Sequence, residues 1–165
     1  MADNKTEVED IQFPVGRYPA AVDNKGRMKL PVIFSNYFKS LAERKPALAD
    51  DSLFVTSLDR STLRIYLLEE WVKTRGEMVS GREVNYLYFN GEDLGAIAKM
   101  DKQNRVLINT ELRRELDLQA GGVVHLFWEK DHALGLTDAH YQALLKQARN
   151  AAKTDPRLRS TPRPL

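Results

Sequence analysis

Val22-Asp23-Asn24-Lys25-Gly26-Arg27-Met28-Lys29-Leu30-Pro31 is the stretch from which the fold can be read. The alternating segment Tyr18 to Val22 leads into it and Arg27 to Leu30 leads out, which predicts strand, tight turn, strand. Three residues separate Asp23 from Arg27, and in such a loop the last position is usually left-handed, a conformation Gly26 adopts without steric penalty. Asp23 and Arg27 then face each other across the hairpin neck. Pro31 suits the first turn of a helix, where its missing N–H would be unpaired anyway, and Val32, Ile33, Tyr37, Phe38 and Leu41 continue with helical spacing to about Arg44.

Beyond a loop from Lys45 to Asp51, the pattern predicts strands at Leu53 to Thr56 and Leu63 to Leu67, then a helix from Leu68 to about Met78 that holds Trp71. The order then repeats. Asp101-Lys102-Gln103-Asn104-Arg105 recreates the Asp-x-x-x-Arg frame 78 residues later, between strands at Ile97 to Met100 and Val106 to Ile108. Asn104 takes the left-handed position of Gly26, and asparagine is among the few other residues that tolerate it. A helix from Thr110 to Leu118 should stop at Gly121-Gly122. Val123 to Trp128 and Ala133 to Leu136 read as a hairpin, after which Asp138 is expected to cap a helix carrying Tyr141, Leu144, Leu145 and Ala148. Tyr141 falls where the first half has Trp71.

Five segments follow from this reading: an extension 1–12 without structure, a first half 13–80, a linker 81–93, a second half 94–148 and a basic tail 149–165 expected to be disordered. The linker aromatics Tyr86, Tyr88 and Phe89 read as core or subunit contact rather than as a platform for stacking bases.

With 42% apolar and 29% charged residues the chain can build a core. It has no cysteine, no basic-then-apolar leader and no run of eighteen apolar residues, which together point to a reducing, cytoplasmic setting without membrane insertion. The net charge of +2 hides a distribution: residues 1–10 carry one base and four acids, residues 143–165 six bases and one acid, and the span between them is neutral. Affinity for a polyanion must therefore come from a local basic surface or from repetition in an oligomer. Catalysis is disfavoured. His125, His132 and His140 lack metal-ligand spacing, no phosphate or dinucleotide glycine loop is present, and neither metal, cofactor nor small-molecule substrate is expected.

The run Gly16 to Pro31 resembles the opening hairpin of the MraZ family. Thr56 to Tyr66 with Glu69-Glu70-Trp71 resembles that family's closing hairpin and tryptophan helix, and Asp101 to Leu118 its second Asp-x-x-x-Arg segment, so the likeness spans about residues 13–146. The resemblance implies an α+β fold: two tandem swapped-hairpin, AbrB-like half-domains forming one pseudo-twofold β-barrel with flanking helices. It further implies a nucleoid-associated homo-oligomeric ring that binds short tandem promoter repeats in double-stranded DNA, usually as a repressor of the cell-division and cell-wall genes. The competing reading is an antitoxin-like protein-interaction module on the same fold, engaging a partner through the tail Lys153 to Leu165.

DNA recognition needs cations at fixed positions, some on phosphates and some presenting a planar fork to guanine edges. Arg17, Lys25, Arg27 and Lys29 in the first hairpin are the candidates, with Lys102 and Arg105 in the second. Alternation sends Arg27 and Lys29 to one side and leaves Lys25 at the loop tip. Asp23, Gly26, Asp101 and Asn104 are cast as structural turn residues. Taken alone, Asp23 with Arg27 is an ordinary hairpin salt bridge worth about 0–1 kcal/mol; the resemblance makes Arg27 the leading base or phosphate contact. Arg113 and Arg114 read as a solvated helix face.

Overall fold

The structure, a computed structural model, describes residues 13–44, 51–79 and 85–159. The extension 1–12, nearly all of the loop at 45–51, the first residues of the linker and the end of the tail lie outside the described residues. In chain order the described elements are β1 (Tyr18–Ala21), β2 (Arg27–Lys29), α1 (Val32–Glu43), β3 (Leu53–Thr56), β4 (Leu63–Leu67), α2 (Leu68–Met78), α3 (Tyr86–Leu94), β5 (Ala96–Ala98), β6 (Arg105–Leu107), α4 (Thr110–Glu115), β7 (Val123–Glu129), β8 (His132–Thr137), α5 (Asp138–Thr154) and α6 (Pro156–Arg159). The class is α+β.

β1 and β2 meet only at the turn, where the Asp23 N–H donates to Arg27 O at 2.8 Å and Val22 bridges Met28. Beyond it they part: β1 pairs antiparallel with β7 of the other half, and β2 with β6. β5 reciprocates by pairing with β3. The large sheet runs β1-β7-β8-β4-β3-β5, an order that reads the same from either end once the matching strands of the two halves are exchanged. β2 and β6 form a separate two-stranded ribbon, so the strands make an open sheet and a ribbon instead of the closed barrel expected from the resemblance. Among the described residues, the Val22–Met28 bridge apart, no strand pairing joins the ribbon to the sheet; buried side chains fill the space between them.

Those side chains form the main core. Met28 and Val106 point inward from the ribbon, Phe34 and Phe38 from α1, Leu112 from α4, and Ile65, Val124 and Leu126 from the sheet. A second cluster, Phe54, Leu58, Tyr66 and Trp71, lies between β3, β4 and α2. The Trp71 ring stacks on Phe54 at 4.8 Å, and its indole N–H donates to Glu92 of α3 at 3.1 Å.

Several boundaries differ from expectation for identifiable reasons. Pro31 stands just outside α1, with φ −54° and ψ 145°, instead of within its first turn. Asn109 and Thr137 cap α4 and α5 by accepting the N–H groups of Leu112 and His140, so the second cap is Thr137 and not Asp138. α4 ends at Glu115, because Asp117 turns left-handed at φ +53°. The Gly121-Gly122 pair therefore ends no helix; it extends the β1 ladder, with the Gly121 N–H on Val22 O at 2.7 Å and the Val22 N–H on Gly122 O at 2.9 Å. α3 occupies most of what reads as linker, started by Asn85, whose side chain accepts the N–H groups of Leu87 and Tyr88. Tyr86 and Phe89 on it are exposed, which removes the core alternative for these two. α5 runs past residue 148 and, with α6, makes the described part of the expected disordered tail helical. Apolar periodicity is silent there because α5 buries no residue completely; alanine and long straight side chains supply helix propensity in its place.

Candidate nucleic-acid interface

The two Asp-x-x-x-Arg turns fold alike, bond for bond. In the first, Asp23 Oδ1 accepts the backbone N–H groups of Lys25 and Arg27, both at 2.9 Å, and Oδ2 accepts Arg27 Nε at 3.1 Å. In the second, Asp101 Oδ1 accepts from Gln103 and Arg105 at 2.8 and 2.9 Å, and Oδ2 accepts Arg105 Nε at 2.7 Å. Gly26 and Asn104 hold the left-handed positions at φ +83° and +62°. The backbone N–H of the arginine, aided by the second N–H and the guanidinium, keeps each aspartate carboxyl below its usual range despite some desolvation. Each acid thus fixes one edge of its arginine. Among the described residues the terminal Nη donors of Arg27 and Arg105 make no protein hydrogen bond, so two planar forks are held in orientation with their ends free.

The ribbon locks the two turns together. Leu30 N–H donates to Asn104 O and Ile108 N–H to Gly26 O, each at 2.9 Å, so each left-handed residue serves the opposite strand. Because β2 and β6 are antiparallel, the turn tips with Lys25 and Lys102 lie at opposite ends of the ribbon. Between them the outer face presents Arg27 opposite Leu107 and Lys29 opposite Arg105. The hydrogen-bonded positions 30/104 and 26/108 make these non-hydrogen-bonded pairs, whose Cα atoms stand only about 4.5 Å apart. Lys29 and Arg105 are therefore like charges held side by side, their repulsion offset in part by Asp101 on Arg105 Nε.

Five of the six cations expected from the sequence come together here: Lys25, Arg27, Lys29, Lys102 and Arg105. Arg17 does not. Its guanidinium lies over the Tyr141 ring at 4.7 Å and donates to His125 Nδ1 at 3.0 Å, beside β7 and the start of α5. Two further cations reach the ribbon from the helices. Lys39 of α1 donates to Asn104 Oδ1 at 3.0 Å. Arg113 of α4 donates through Nε to Ile108 O at 2.8 Å and lies so close over Gly26 that a Cβ there would approach its Cζ to 2.5 Å. Arg113 is thus a brace on the first turn and not part of a solvated face, whereas Arg114 is exposed. Neither brace could be read from local sequence, since Lys39 and Asn104 are 65 residues apart.

Other polar clusters are structural. Arg60, left-handed at φ +62°, ties α3 to α4 by donating to Asn90, Asp93 and Glu115. His125 sits between Arg17 and Asp138, and His132 between Arg64 and Asp131. Each imidazole thus bridges an arginine and an aspartate across the sheet. Burial pushes the His132 pKa down, with Asp131 opposing. Among the described residues no group of three or more His, Asp or Glu side chains could hold a metal ion, and no helix is long and apolar enough to cross a membrane.

No family model matches the chain. It is similar to curated proteins, each called Transcriptional regulator MraZ, from several bacteria. The one from Acidobacterium capsulatum is 31% identical over 113 residues, covering 66% of this chain and 73% of the relative. Those from Koribacter versatilis and Thermus thermophilus are 27% and 26% identical over 108 and 119 residues, or 63% and 68% of this chain and 69% and 73% of theirs.

Proposed function

We propose, from the premise that this chain belongs to the MraZ family of transcriptional regulators, that it binds double-stranded DNA sequence-specifically through the β2–β6 ribbon and does so as a repressor. The observation that carries this is the ribbon's outer face, where Lys29 and Arg105 stand directly opposite each other beside Arg27. A polyanion laid across that face meets Lys29 and the free ends of both guanidinium groups together. Asp23 and Asp101 set the register of the forks, Arg27 and Arg105 engage base edges or phosphates, and Lys25 and Lys102 reach the backbone. The pseudo-twofold exchange of strands between halves 13–80 and 94–148 is what a swapped-hairpin, AbrB-like architecture requires, and it supports that assignment.

One ribbon supplies few cations, so affinity comes from repetition: a homo-oligomeric ring offering several ribbons to short tandem promoter repeats gains roughly 10²–10⁴ in avidity. The exposed apolar side chains Tyr86, Leu87 and Phe89 on α3 and Leu144 on α5 support self-association. The targets are the promoter repeats of a bacterial cell-division and cell-wall gene cluster, and the site of action is the cytoplasmic nucleoid.

The test is fluorescence anisotropy on duplexes carrying such repeats, across a salt series. Arg27→Ala and Arg105→Ala, each still folded by circular dichroism, should lose specific binding, and log K should fall linearly with log salt for the unmutated protein. A folded Arg27→Ala, Arg105→Ala double variant with unchanged affinity would overturn the reading.

A further inference from the structure

The ribbon is twofold in backbone but not in side chains. Arg27 and Arg105 occupy equivalent positions, as do Lys29 and Leu107. Leu107 is half exposed, at 51%, on the same outer face as the three cations, and its cross-strand partner is Arg27. An exposed leucine amid cations contributes nothing to the core, which β6 serves through Val106. A uniformly charged ribbon would suit phosphates better. An apolar group at that place suits a ligand that offers both negative charge and an apolar spot within a few ångströms, and in the DNA major groove the apolar spot is the thymine C5-methyl.

We propose that Leu107 is a specificity-determining residue that packs against a thymine methyl and gives the ribbon a direction on DNA. A ribbon with Lys29 in both places, or Leu107 in both, would read a palindrome. This one reads a non-palindromic step, with thymine favoured at the Leu107 end and guanine or phosphate contacts at the Lys29 end, so successive ribbons of an assembly lie along the duplex in one orientation. The inference rests on the reading of the ribbon as the DNA-binding face.

The experiment uses the duplex that the full-length protein selects from a random library. Each thymine is replaced singly by uracil, which removes the methyl and leaves the pairing edge unchanged. One position per repeat should weaken binding roughly three- to five-fold, the worth of one buried methyl. In Leu107→Ala that penalty should vanish while the salt dependence persists. Leu107→Lys should select a more twofold-symmetric site from the same library. The proposal is overturned if the unmutated protein binds DNA but no uracil penalty disappears in Leu107→Ala, or if that variant instead changes the particle mass in light scattering. Absence of any duplex binding by the unmutated protein at low salt would sink the DNA-binding reading itself and this inference with it.

Discussion

Gly26 meets two demands at once: a left-handed backbone and the Arg113 guanidinium lying across it. Gly26→Ala should cost about 1–2 kcal/mol from the backbone alone, and more once Arg113 is displaced, as measured by urea unfolding. Asn104→Gly should change stability by less than about 1 kcal/mol, because glycine adopts the same conformation and only the exposed Lys39 contact is lost. His132 governs a different variable. Its folded-state pKa lies below its unfolded value of about 6.5, so the unfolded chain takes up the proton first; its stabilisation is complete above that pH and is lost as pH falls toward the lowered folded value. The melting temperature should therefore drop from pH 7 to pH 5, and His132→Gln should flatten that segment. The steeper loss below about pH 4 should remain, because Asp23, Asp59, Asp101 and Asp138 all have lowered pKa values and stabilise only while ionised. At this scale the turns were legible, since Asp, left-handed residue and Arg are adjacent in the chain. Lys39, Arg113 and the position of Arg17 were not, because tertiary packing decides where a long cationic side chain ends.

Among the elements, α2 and α5 answer the same geometric problem with different chemistry. Trp71 and Tyr141 are each the fourth residue of their helix, over Phe54 in one half and His125 in the other. Trp71 is sealed by α3, whose Gly91 approaches it so closely that a Cβ would clash with the indole ring. Tyr141 remains partly exposed between His125 and Arg17. Trp71→Ala should cost about 3–5 kcal/mol in urea unfolding, and Tyr141→Ala markedly less. The strands and α1 followed from their periodicity. α3 was hidden because Tyr86 and Phe89 face outward, yet Asn85 ahead of Tyr-Leu-Tyr-Phe is a helix-start signal of the usual kind. The end of α5 was hidden for the related reason that periodicity reports burial, and this helix buries little.

For the whole molecule, exchange of strands makes each half depend on the other. β1 finds its partner in β7 and β5 in β3, so the duplication visible in the sequence does not delimit two independent folding units. Residues 13–79 and 85–159 produced separately should each lack a cooperative thermal transition, and mixing them should restore one. The repeat was readable from paired turns and matching element order. Which strand pairs with which was not, because hairpin turn chemistry specifies the bend and says nothing of where the strands go afterwards.

β1 ends the sheet, and its alternation has a further effect. The Val22 N–H points toward the β7 side, so the nitrogen of Pro19 points to the open rim. Proline has no hydrogen to offer there, and the row of donors that another molecule's strand could zip onto is broken. One imino acid thus guards the outer rim of the finished sheet against strands of neighbouring chains.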